Sequence, residues 1–113
     1  MEITHKRMNR VDLIQISGRL DAMQAPALKQ KIEELFTEGR YRIVLDLSAL
    51  EYVASPGLRV LIEARKKARD RKIEGGDIRL AGLPSRIREV FDLTGFTSLF
   101  EIYPNATEAV GSF

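Results

Sequence analysis

The chain contains no cysteine, which excludes a disulfide framework, a thiol nucleophile and every cysteine-based metal site. One histidine, His5, argues against a His-ligated zinc site or a His-based catalytic triad. Tryptophan is absent, and three Tyr with five Phe are the only aromatics. They leave little for a platform on which nucleobases stack. No stretch approaches the roughly 18 apolar residues that a membrane span needs. Met1 to Lys6 is a mixed polar segment with neither an apolar core nor a small-residue cleavage site, so no signal peptide is expected. A cytoplasmic, reduced setting follows as the expectation. Net charge is scarce as well, with 18 Lys and Arg against 16 Asp and Glu, or +2.

What is present describes an ordinary globular chain. It has 113 residues, 44% apolar and 30% charged, which suits a single domain with its own core and no disorder. Neither an internal repeat nor a linker divides it.

Apolar periodicity orders the elements. Glu2 to Arg7 reads as a strand, turning through Asn9-Arg10 into a second strand from Val11 to Ser17, closed by Gly18. Ala25, Leu28, Ile32, Leu35 and Phe36 recur at helical spacing, with Pro26 in the first turn and Gly39 past the end. Ile43 to Leu47 is a compact apolar run, as for a strand covered on both faces. Leu58, Leu61, Ile62, Arg65 and Ala68 mark a second helix, ending before Gly75-Gly76. Asp77 to Ala81 alternates as a strand. Pro84 opens a third helix with Ile87, Val90, Phe91 and Thr94 on one side, closed by Gly95. Leu99 to Tyr103 reads as a last strand, and Pro104 opens a short terminal helix. Strands separated by helices require crossover connections, so an α/β fold is expected. Its sheet is mixed and mostly parallel, with about five strands, and most helices lie on one face.

The segment from Ile43 to Ala68 is the most informative. Ser55 precedes Pro56 at the start of the second helix, where a serine hydroxyl serves as N-cap and proline lacks only an N–H the helix does not use. The same place, at the positive end of a helix, also suits a phosphate on Ser55. Gly18 ends its strand, and Asp21 caps the next helix or offers a contact. Asp46, inside an apolar run, needs hydrogen-bond partners and reads as a structural acceptor.

Four motifs occur in register: Gly18-Arg19-Leu20-Asp21, Ile43 to Ser48, Ser55 to Leu61, and Val90 to Phe96. Together they resemble the STAS domain of bacterial anti-sigma factor antagonists, over about Val11 to Val110. The resemblance implies one STAS domain over residues 1–113, with no catalytic machinery, cofactor or metal. It also implies partner switching. The unmodified domain binds an anti-sigma factor that is also an ATP-dependent serine kinase, so releasing the sigma factor, and phosphorylation breaks that complex. Ser55 falls on the phosphorylated position, Gly57 on the helix-start glycine, and Asp21 on the acidic residue of the loop after the second strand. The expected docking residues are Asp21, Met23, Ser55, Gly57, Leu58 and Arg59. The family usually carries Asp before the phosphorylated serine and Ser, Thr or Ala after it. This chain has Ala54 and Pro56, so a descendant that binds without the switch is the alternative at Ser55.

From Arg59 to Lys72 the chain holds seven of its bases and two of its acids, a local +5 that leaves −3 elsewhere. A solvated helix face explains this, and no nucleic acid is expected as partner. The runner-up function keeps the fold: an accessory subunit that binds the ATPase of an ABC lipid-transport system. A homodimer is open under either reading.

Overall fold

A computed structural model describes residues 1–113. The initial hairpin joins β1 (Glu2–Arg7) to β2 (Asp12–Leu20) in antiparallel register. There follow α1 (Ala25–Thr37), β3 (Arg42–Val53), α2 (Ser55–Ala68), β4 (Asp77–Ala81) and α3 (Ser85–Thr94). A single 3-10 turn (Phe96–Ser98), β5 (Ile102–Tyr103) and α4 (Ala106–Gly111) complete the chain. The strands form one sheet in the order β1-β2-β3-β4-β5. Every pair after the first is parallel, so the sheet is mixed and mostly parallel, as expected.

The strand order explains the layering. Each crossover steps to the next strand in the same direction, and connections of one hand then fall on one side of the sheet. Accordingly α1, α2 and α3 share the main core, where Leu28, Ile32, Leu61, Ile87 and Phe91 meet Ile14, Ile16, Ile43, Leu45 and Leu80. The opposite face is covered at one place only. There Ala109 of α4 joins Val11, Val44 and Ala81, with Tyr103 and Phe113 packed alongside.

Several boundaries differ from those the sequence suggests. Gly18 does not close β2; the strand continues to Leu20, and Gly18 sits within it at φ +83° next to a shift of register against β3. That positive φ is what glycine supplies. In parallel, β3 runs past Leu47 to Val53, pairing Leu20 with Val53. The last strand is only Ile102–Tyr103; Leu99 instead caps the 3-10 turn Phe96–Ser98, its N–H donating to the Phe96 carbonyl at 3.0 Å. The terminal helix is capped by the Asn105 side chain, which accepts from the Glu108 N–H, rather than opened by Pro104.

Asp46 is half-buried, and its Oδ1 accepts from the Ser48 N–H at 3.0 Å, the structural role expected of it. The buried carboxylates are instead Asp12 and Asp77. Asp12 lies 2.7 Å from His5 Nε2 and accepts from Arg40 Nε at 2.6 Å. Arg40 also donates to the Met8 carbonyl, so one paired charge fastens β1, β2 and the end of α1 together.

Candidate functional site

Ser55 stands at the carboxyl end of β3. The N-cap of α2 is Ala54, with extended backbone (φ −106°, ψ 168°), and Ser55 is the first residue of the helix itself. The expected capping role therefore belongs to another residue. The Ala54 carbonyl accepts from both Gly57 N–H (2.9 Å) and Leu58 N–H (3.1 Å), and Pro56 has no N–H to satisfy. Freed from capping, the exposed Ser55 side chain makes no cap hydrogen bond.

Backbone pairing brings the loop after β2 to the same end of the sheet. Ala54 N–H donates to the Leu20 carbonyl at 3.0 Å, so the chain leaving Leu20 begins beside the start of α2. Asp21 organises that loop. Its Oδ1 accepts from Met23 and Gln24 N–H, both at 3.1 Å, and its carbonyl accepts from Gln24 and Ala25 N–H. These bonds hold the turn that leads into α1 and present Met23, 86% exposed.

Gly57 locks the two parts together. A Cβ at this position would lie 2.6 Å from Leu20 Cγ and 3.0 Å from the Leu20 carbonyl oxygen, so only glycine lets α2 approach β2 this closely. Gly57 and Leu58 are buried. Of the six expected docking residues, Gly57 is therefore withdrawn from direct surface contact by its packing against Leu20, while Leu58, 4% exposed, reaches the surface only where it lines a groove. Asp21, Met23, Ser55 and Arg59 remain accessible at this end or along α2.

A groove of about 380 Å³ runs from Ser55 along α2. Leu58, Arg59, Ile62 and Glu63 line one side, and Thr94 and Phe96 at the end of α3 line the other. Ile62, Glu63 and Thr94 were not among the expected site residues. Ile62 carries the legible signal, an apolar residue seven positions after Ser55 on the same stripe. Leu93, 82% exposed, stands close by in sequence. The basic run does not form one face, because α2 ends at Ala68 and Arg69 to Lys72 follow it. Within it, Lys67 donates to Glu33 of α1 at 2.8 Å, and Arg69 approaches Asp77 at 3.7 Å. The hydrogen bond from Lys67 to Glu33 raises the lysine pKa, partly offset by desolvation.

No group of His, Asp and Glu is arranged to hold a metal ion, and no helix is long and apolar enough to cross a membrane. The site offers an exposed hydroxyl, an ordered acidic loop and an adjoining apolar groove, which together make a binding surface.

Comparison with known proteins agrees with this picture. The model of the STAS domain matches residues 2–109. The anti-sigma-B factor antagonist of Listeria monocytogenes is 30% identical over 90% of this chain and 86% of its own length. A crystal structure of an anti-sigma factor antagonist from Mycobacterium paratuberculosis matches with a TM-score of 0.86, at 26% identity, over 98% of this chain and 92% of its own. The Bacillus cell fate determinant SpoIIAA, solved in its phosphorylated form, shares the fold with a TM-score of 0.74 at 18% identity, over 98% of both chains. With the family model matching nearly the whole chain, the chain belongs to the STAS domain family, among relatives named as anti-sigma factor antagonists.

Proposed function

We propose that the protein is an anti-sigma factor antagonist, a single regulatory domain that works by being bound rather than by catalysis. Its partner is an anti-sigma factor with serine-kinase activity, and docking uses the loop at Asp21 and Met23 with the exposed start of α2. The observation that carries this reading is the free Ser55 hydroxyl at the first position of α2, beside that loop and the groove. The names of the relatives favour this partner over the ATPase of a lipid transporter.

The off-switch is charge. Transfer of the γ-phosphoryl group of ATP to Ser55 Oγ forms a P–O bond, breaks the bond to ADP and releases the hydroxyl proton. The product adds nearly two negative charges at the centre of the docking surface. Arg59 follows Ser55 by four residues, the spacing and order in which an anion and a cation pair best on a helix. Pro56 does not block such a switch sterically at the hydroxyl, which stays exposed.

Incubating the protein with the anti-sigma factor kinase and ATP, followed by intact-mass measurement, tests this reading. One added phosphoryl group is expected, absent in Ser55→Ala, with loss of the complex on gel filtration. Modification that persists in Ser55→Ala would sink the switch, and failure to bind the unmodified protein would sink the partner assignment.

A further inference from the structure

We infer that β1 is a self-pairing edge, which takes β1 of a second copy of this chain in antiparallel register about a two-fold axis at Thr4. This strand pairs with β2 on one side and has no neighbour on the other. It contains no proline, and its ladder to β2 is unbroken over six residues, so neither of these common devices blunts the edge.

The hydrogen-bond pattern determines which groups face outward. Met8 N–H donates to the Val11 carbonyl at 2.9 Å, making this a hydrogen-bonded pair of the hairpin. Such pairs alternate along an antiparallel ladder. Glu2, Thr4 and Lys6 therefore spend their backbone groups on β2, while Ile3, His5 and Arg7 direct theirs to the open edge. A two-fold contact must then match odd residues with odd residues. Two registers do so near the middle of the strand. One centres on His5 and sets Ile3 opposite Arg7 and Thr4 opposite Lys6, with no opposite charges matched.

The other centres on Thr4. It sets Ile3 opposite His5 of the second copy as the hydrogen-bonded pairs, and Glu2 opposite Lys6 of the second copy at the non-hydrogen-bonded positions. Side chains at those positions approach most closely, and opposite charges there are favourable. Both Glu2 and Lys6 are exposed, and the contact uses each twice. The charges that would repel a mismatched strand thus complement a second copy. An axis normal to the sheet keeps both helix layers on one side, so each α1 meets its counterpart. The edge has a hollow ready there, about 270 Å³, lined by Ile3, His5 and Ala27 with Lys31 and Glu34 of both signs.

Sedimentation equilibrium of the full chain at low salt, up to millimolar concentration, tests the proposal without reference to any anti-sigma factor. A reversible monomer–dimer equilibrium is expected. Lys6→Glu turns both charge pairs repulsive and weakens dimerisation about tenfold. The swap Glu2→Lys/Lys6→Glu restores it to within about twofold, with circular dichroism confirming that each variant is folded. A monomer at every concentration would overturn the proposal. So would a dimer insensitive to Lys6→Glu, or one weakened by it and not recovered by the swap.

Discussion

A helix interior ordinarily favours alanine over glycine by about 1 kcal/mol, and Gly57 lies in the first turn of α2. Propensity therefore predicts a gain for Gly57→Ala, and packing predicts a loss. Packing wins, because the new Cβ would sit 2.6 Å from Leu20 Cγ and 3.0 Å from a backbone oxygen. The side chain can turn aside, but the carbonyl cannot. Gly57→Ala should lower stability by roughly 1–3 kcal/mol in urea unfolding. Leu20→Ala in the same background should recover little, because the backbone contact remains. In the sequence Gly57 is visible only as a glycine near a helix start, and its reason lies on β2, which no local pattern reveals. The Ser55 cap was misplaced for a related reason. Serine is the better cap by composition, yet the extended backbone of Ala54 puts the boundary one residue earlier.

Between elements, α1 and α2 lie side by side and share one exposed ion pair, Lys67 to Glu33. Its contribution has a definite pH sign. The folded-state lysine pKa is raised above its ordinary value, chiefly by the hydrogen bond from Lys67 to Glu33. The stabilisation is therefore complete below the ordinary lysine pKa and fades as pH climbs through the raised one. Glu33→Gln should slightly lower the neutral plateau of a stability–pH curve, leave the most alkaline values unchanged, and so flatten the alkaline decline. An unchanged alkaline slope would show that the pair contributes nothing in solution. At this scale the sequence was most readable where breakers bracket a clear period. β4 matches its expected span, Asp77–Ala81, and α3 ends where Gly95 foretells. The far half of β3 was not readable, because Ser48, Ala49, Glu51 and Tyr52 are exposed and do not alternate. That half pairs with β2 only because the chain continues through Gly18.

For the whole molecule, the two faces of the sheet are unequal. Three helices bury one side, while the other depends on α4 and the residues after it. Arg79 anchors that segment by donating to the Ser112 carbonyl and hydroxyl, with the Phe113 ring 4.1 Å from its guanidinium carbon. Removing residues 105–113 uncovers Val11, Val44 and Ala81. The expected loss is roughly 3–5 kcal/mol, read by denaturant unfolding, together with increased binding of a dye that reports exposed apolar surface. A truncated chain as stable as the whole would show that this second core is dispensable.

The strand order β1-β2-β3-β4-β5 has a consequence for the chain as it is made. Each strand pairs with the one synthesised just before it, so none waits for a distant partner. Each parallel closure spans one crossover only, from 22 residues between Leu80 and Ile102 to 35 between Arg42 and Asp77, and the nascent chain lays down its sheet outward from the first hairpin as it leaves the ribosome. The edge that is complete earliest is β1, and the two-residue β5 is added last.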